Sequence, residues 1–286
     1  MSALTADAAG DHLSRRDFAR LATFIEKYSG IKMPQNKLTM VEGRLRKRVR
    51  ATGMRNVTEY CGYLFDDGGL DREEIHLIDA MTTNKTDFFR EPEHFRVLTR
   101  LVLPEIVSER PCENGKPVKL WSVACSTGAE PYTLAMVVAD FARSAKSVTA
   151  SILATDICSE ALDKAVQGVY PKAMVEPVPP DARKRYVMKS RDAAKSIVRI
   201  IPELREMIGF GRLNLMDSAY PVDRNMDVIF CRNILIYFDR PTQEAVLNRL
   251  CDHLRTGGYL FLGHSESPAG FQLPLQPAGN TVFRKV

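Results

Sequence analysis

The chain has 286 residues, 45% hydrophobic and 26% charged, with 40 Lys and Arg against 35 Asp and Glu for a formal charge of +5. That apolar content excludes a disordered chain and supports a sizeable core, while so mild a positive excess does not define a nucleic-acid binder by itself. No apolar run approaches the ~20 residues of a membrane span, and the opening MSALTADAAGDHLSRRD lacks the apolar stretch of a secretion signal, so a cytoplasmic protein without membrane insertion is expected.

The first ten residues are small and polar, and disorder is expected there. From Ser14 to Thr82 the apolar period is helical. Phe18, Leu21, Ala22 and Ile25 form one stripe, with Ser14 as N-cap and Gly30 as stop. Leu38, Val41, Leu45 and Val49 form a second stripe, closing before Gly53. Tyr60, Tyr63 and Leu64 predict a third helix, and Ile75, Leu77, Ile78 and Met81 a fourth. The segment 14–82 therefore reads as a small all-α domain. Residues 83–95 read as a polar and aromatic linker, with a helix starting near Glu93.

After Pro117 the period changes. Val118–Val123, Ala150–Ile157, Asp227–Cys231 and Tyr259–Leu262 are continuous apolar runs, alternating with helical stretches at Pro131–Arg143, Ser159–Val166 and Thr242–Leu254. Thr281–Val286 is a last short strand. Such alternation predicts an α/β fold with a mostly parallel sheet covered on both faces, spanning 96–286. The proline-rich stretch 170–207, with β-like pieces at Arg185–Lys189 and Ile197–Ile201, reads as a small β insertion.

Cysteines stand at 61, 112, 125, 158, 231 and 251 with no C-x-x-C pair, and the histidines at 12, 76, 94, 253 and 264 form no ligand-spaced pair. Reduced thiols and no metal are expected. Open α/β sheets bind ligands at the carboxyl ends of their strands. The loop Ala124-Cys125-Ser126-Thr127-Gly128-Ala129-Glu130 there matches neither G-x-G-x-x-G nor a phosphate-cradling P-loop, and it holds an acid but no base. It suits a ligand with a positive group better than a phosphate. Asp156, ending the second strand, reads either as an acceptor for ribose hydroxyls or as a helix N-cap. With Asn214 and Asn233 at later strand ends, these residues describe a nucleoside pocket without a phosphate site, which fits S-adenosylmethionine.

The runs Thr82–Glu91 (TTNKTDFFRE), Trp121–Tyr132 (WSVACSTGAEPY), Ala154–Ile157 (ATDI), Phe230–Asp239 (FCRNILIYFD) and Gly263–Ser267 (GHSES) resemble those of the chemotaxis receptor methyltransferases, the CheR family of protein-glutamate O-methyltransferases. The resemblance implies a class I (Rossmann-like) methyltransferase domain behind an all-α domain, S-adenosylmethionine as cofactor with S-adenosylhomocysteine as product, and bacterial chemotaxis receptors as partners. It implies that Asn84, Thr86 and Arg90 face the methionine part of the cofactor, Glu130 its polar head and Asp156 its ribose. Asn214 and Leu215 would flank the adenine, Cys231 and Arg232 would give backbone contacts, and Arg90 and Tyr237 would stand nearest the transferring methyl as the catalytic pair. From the residues alone, Arg90 could instead pair with Glu91 or Glu93, and Tyr237 could be a core aromatic.

Between Lys32 and Arg55 there are eight basic residues and a single acid, Glu42. With the apolar stripe buried, the charges are expected on the remaining faces, and the resemblance assigns Arg44, Arg46, Lys47, Arg48 and Arg50 to receptor recognition through acidic helices. A non-catalytic signalling module and a nucleic-acid methyltransferase remain as alternatives. Nucleic acid is not expected as a partner, and a monomer is the default.

Overall fold

The computed structural model describes residues 12–109, 117–144, 148–192 and 194–286. The expected disorder of the first ten residues and Cys112 lie outside them. The chain divides into two compact units, Met1–Thr83 with Ile157–Ser159, and Asn84–Asp156 with Glu160–Val286.

The first unit is a helical bundle of α1 (Arg15–Ser29), α2 (Leu38–Thr52), α3 (Val57–Phe65) and α4 (Leu70–Met81). Each boundary has a local cause. The Ser14 hydroxyl accepts the Asp17 amide and the Asn56 side chain accepts the Glu59 amide, each satisfying a donor that has no intrahelical partner. Gly30 and Gly53 end α1 and α2 in the left-handed region, at φ 72° and 71°, where a side chain would be strained. Phe18, Leu21, Ile25, Val41, Leu45, Tyr60, Leu64, Leu77 and Ile78 fill one core.

The expectation that the α2 charges all face outward is corrected here. Arg48 makes a two-bond fork onto Glu73, Nε and Nη2 each 2.9 Å from a carboxylate oxygen, and both side chains are nearly buried. The Tyr60 hydroxyl donates to the same carboxylate at 2.8 Å. Arg44 donates to the Met81 and Thr82 carbonyls, capping α4 at its C-terminal end, and Arg46 pairs with Glu42. A buried guanidinium without such partners would be too costly to hold. Lys47 and Arg50 are exposed.

The second unit begins with α5 (Pro92–Val97), continues through a π turn at Leu98–Val102, and ends its helical lead-in with α6 (Leu103–Glu109). Then follow β1 (Val118–Val123), α7 (Ala129–Ser144), β2 (Ala150–Asp156) and α8 (Ser159–Gln167). The insertion comprises β3 (Val169–Pro171), α9 (Pro180–Tyr186), β4 (Val187–Lys189) and β5 (Ile197–Ile200), the strands forming an antiparallel sheet in the order β3-β5-β4. Arg185 and Tyr186 end a helix rather than opening the strand. The rest is α10 (Pro202–Glu206), β6 (Ile208–Arg212), β7 (Met226–Cys231), α11 (Arg240–His253), β8 (Leu254–Leu262), β9 (Leu275–Gly279) and β10 (Val282–Lys285).

The main sheet has the order β6-β2-β1-β7-β8-β10-β9, parallel from β6 to β8, with β10 antiparallel to both neighbours. The strand order reverses between β1 and β7, which sets the ligand crevice at their carboxyl ends. Alternation along the strands sends Leu120, Val228, Phe230, Tyr259 and Phe261 into one core and Trp121, Val123, Ile229, Leu260 and Leu262 into the other. Both faces are therefore dry, and the strands read as apolar runs. β8 starts earlier than the expected Tyr259 and takes in the Thr256-Gly257-Gly258 stretch. The β7–β8 register shifts between Met226 and Val228, as at a bulge, which absorbs the irregularity.

Candidate functional site

The loop after β1 turns through residues with positive φ, at Ala124 (54°), Ser126 (52°) and Gly128 (92°), before α7 begins at Ala129. Non-glycine residues in this region carry strain and cluster where geometry serves a site. At Gly128 a Cβ would come within 2.8 Å of the Ala165 Cβ and 2.9 Å of the Tyr170 hydroxyl, so the position requires glycine. The turn is held from the neighbouring strand. The Cys125 amide donates to the Thr155 carbonyl at 2.9 Å, and the Ser126 amide donates to Asp156 Oδ2 at 2.7 Å. Asp156 is 7% exposed at the tip of β2, and its own carbonyl accepts the Leu213 amide at 2.9 Å. Asn214 and Leu215 lie two and three residues past the end of β6 at Arg212. The Asn214 side chain accepts the Met216 amide, which shapes that turn.

The electrostatic centre is Arg232, one residue past β7, with its side chain 2% exposed. Its Nη1 donates to Glu130 Oε2 at 3.1 Å, and its Nη2 donates to Glu91 Oε2 at 2.9 Å and to the Arg90 carbonyl at 2.5 Å. Glu130 also accepts from the Ser122 hydroxyl at 2.7 Å, and Glu91 accepts from the Asn233 amide group at 3.1 Å. One guanidinium thus serves two buried carboxylates, and the two respond oppositely. Burial holds Glu130 above the usual carboxylate value despite Arg232. Burial also pushes Glu91 upward, but Arg232 and the Asn233 side chain outweigh it and leave Glu91 below that value. The trio carries one negative charge in excess when both acids are ionised.

Glu266, 4% exposed, fastens the adjoining loops. Its carboxylate accepts the Asn233, Leu235 and Gly263 amides at 2.8, 2.7 and 2.7 Å. Asn233 sits at φ 60°, and no side chain fits at Gly263, where a Cβ would lie 2.6 Å from the Asn233 side-chain nitrogen.

The sequence-predicted residues fall into place unevenly. Arg90, Glu130 and Arg232 are joined through the guanidinium, and Asp156 is joined to the β1 loop. Arg232 was expected to give backbone contacts, and its side chain in addition joins Glu130, Glu91 and the Arg90 carbonyl. Cys231 is fully buried, its thiol pushed far above its ordinary pKa by burial, so only its backbone can face a ligand. The surface pairing of Arg90 is not what is seen: Glu91 goes to Arg232, Glu93 pairs with Arg96, and the Arg90 guanidinium lies 3.5 Å from the Lys85 carbonyl. Tyr237 is half-buried in the short turn Leu235–Tyr237. Thr86 is half-buried and Asn84 exposed. Sequence reasoning missed Glu91, Glu266 and the unpartnered Ser126 hydroxyl. Three of the five buried side-chain atoms that lack a hydrogen-bond partner among the described residues lie here, namely Ser126 Oγ, His94 Nδ1 and Arg232 Nε. Orphaned polar atoms and an uncompensated acid at strand ends fit a polar ligand with a positive group.

Residues 84–282 match the family model described as the CheR methyltransferase, SAM binding domain, and residues 16–82 match that of the CheR methyltransferase, all-alpha domain. Chemotaxis protein methyltransferase 2 of Pseudomonas aeruginosa is 34% identical over 272 residues, covering 95% of this chain and 94% of that protein. The chemotaxis protein methyltransferase of Borreliella burgdorferi is 33% identical over 91% of this chain and 90% of its own, and that of Escherichia coli is 34% identical over 95% and 91%.

Proposed function

Because the chain belongs to the CheR methyltransferase family, we propose that it esterifies glutamate side chains on the cytoplasmic domains of methyl-accepting chemotaxis receptors. It is an S-adenosylmethionine-dependent methyltransferase of chemotaxis. Receptor glutamates as acceptors, and action in the cytoplasm, are the finer reading. None of the described helices is long and apolar enough to cross a membrane.

The observation that carries the cofactor assignment is one arginine between two buried acids. The residual negative charge favours the ammonium and sulfonium of S-adenosylmethionine and disfavours a phosphate. In this reading Glu130 takes the amino head, Asp156 the ribose, and Asn214 with Leu215 the adenine. Asn84, Thr86 and Arg90 close over the methionine part, and Cys231 and Arg232 line the crevice with backbone.

The cofactor supplies a methyl carbon already activated by its sulfonium. A glutamate acceptor, with an ordinary pKa near ~4.3, is ionised at neutral pH, so no general base is needed. When bound, the cofactor would pass that methyl to an acceptor oxygen and keep the carbon–sulfur electron pair on sulfur. Arg90 would orient a carboxylate through its planar fork, and Tyr237 would stand nearest the transferring methyl. Alignment and exclusion of water supply the acceleration. On the helical unit, Arg46, Lys47 and Arg50 remain for an acidic receptor helix, whereas Arg44 and Arg48 hold the bundle together.

The test is incubation with labelled S-adenosylmethionine, receptor fragments and nucleic acid. Label on the receptor released by mild alkali as methanol is expected. Alkali-stable label on nucleic acid would sink the reading.

A further inference from the structure

We propose that Glu91, His94 and His264 form a binding site for a divalent first-row metal ion of the zinc class. Glu91 and His94 lie three residues apart at the start of α5, and the fold brings His264 to them. His94 Nδ1 lies 3.4 Å from Glu91 Oε2, His264 Nε2 lies 3.9 Å from the same oxygen, and the ligand atoms of all three residues are within 4.8 Å of one another. A tetrahedral ion with bonds of about 2.0–2.1 Å holds its ligands roughly 3.4 Å apart, so the spacing needs only a small contraction on the His264 side.

The second observation is at His94. The residue is 1% exposed, its Nε2 lies 2.8 Å from the Thr281 hydroxyl, and its Nδ1 has no hydrogen-bond partner although it faces a carboxylate. In the tautomer whose proton is on Nε2, toward the Thr281 hydroxyl, the Nδ1 lone pair faces the Glu91 carboxylate 3.4 Å away, and a cation between them would take a bond from each. Thr281 then plays the supporting part that orients a ligating imidazole.

Arg232 bonds the same Glu91 Oε2 at 2.9 Å, so an ion there shares that oxygen with the guanidinium. Glu91 holds φ 56°, in the left-handed region where a non-glycine residue is strained. His264 is 45% exposed and gives the ion an entry and an open fourth position. Two imidazoles and one carboxylate select zinc or cobalt over magnesium or calcium.

The experiment uses the full chain, stripped with chelator and titrated with Co2+ alone, then with Zn2+. One equivalent of Co2+ should develop the visible absorption of a low-coordinate site, and Zn2+ should abolish it. The substitution H264A, at a half-exposed position, should weaken Zn2+ binding by at least about tenfold, the loss already typical of removing a supporting partner. Thermal melting of H264A reports that the fold survives. The control H12A, which removes the surface histidine near Glu42, should leave the site intact. Absence of the visible band, or equal Zn2+ affinity in H264A and the parent, would overturn the proposal.

Discussion

The Arg48–Glu73 pair of the helical unit and the Arg232 cluster at the sheet ends use the same groups toward different ends. Around Arg48 the account closes. One guanidinium meets one carboxylate bidentately, a tyrosine hydroxyl supplies a further donor, and neither charge is left over. Around Arg232 it does not close, because two acids share one cation and the guanidinium Nε has no partner. A satisfied network fixes a shape, and an unsatisfied one stores an affinity that a ligand can complete.

Removing either arginine tests the comparison most severely. Arg48→Met and Arg232→Met should each cost about 3–5 kcal/mol in denaturant unfolding, because each leaves buried carboxylates uncompensated. The next step separates the two regions. Arg48→Met with Glu73→Leu should recover parental stability to within about 1 kcal/mol, since an apolar pair can replace a closed ion pair. Arg232→Met with Glu130→Leu should leave calorimetric cofactor binding undetectable. If the second double variant still binds S-adenosylhomocysteine, the contrast fails.

A milder probe is Glu130→Gln, which keeps the shape and removes the surplus charge. Cofactor affinity should drop about tenfold or more, the worth of a hydrogen bond to a charged group, with the thermal midpoint at neutral pH not lowered. The acid response should then differ in sign. Burial raises the pKa of Glu73, but its bonds to Arg48 and Tyr60 outweigh this and leave it lowered. Its contribution to stability is therefore present above the ordinary carboxylate value and lost as pH falls through the lowered one. Glu130 is raised by burial, so it opposes folding at neutral pH and that cost is relieved as pH falls through its raised value. Unfolding midpoints measured on acidification should fall less steeply in Glu73→Gln than in the parent, and more steeply in Glu130→Gln. The smallest structural effect belongs to Lys47→Glu with Arg50→Glu. Cofactor binding and stability should stay within about 0.5 kcal/mol of the parent while the apparent KM for receptor rises.

Much of the architecture was legible because both sheet faces are covered. Strands such as DVIFC advertise themselves as unbroken apolar runs, and Ser14 caps α1 as read. The β8 start was missed because Thr256-Gly257-Gly258 signals a turn locally, and these residues fall in the register shift between the Met226–Leu254 and Val228–Tyr259 pairs. Asp156 and Glu130 were visible as acids at strand ends without a basic neighbour in sequence. The role of Arg232 was not, because its partners Glu91 and Glu130 lie 141 and 102 positions away. The same blindness hid Arg48, whose outward placement followed from charge count until Glu73, 25 positions on, claimed it.

Glu266 has a mechanical consequence. By taking three amides from two separate loops, one carboxylate rivets the exits of β7 and β8 into a single lip. Those loops cannot flex independently, so breathing of the crevice is confined to the opposite side, at the turns after β1, β2 and β6. The amides of Asn233, Leu235 and Gly263 should accordingly exchange with solvent deuterium in one concerted event, whereas Met216 should exchange on its own schedule.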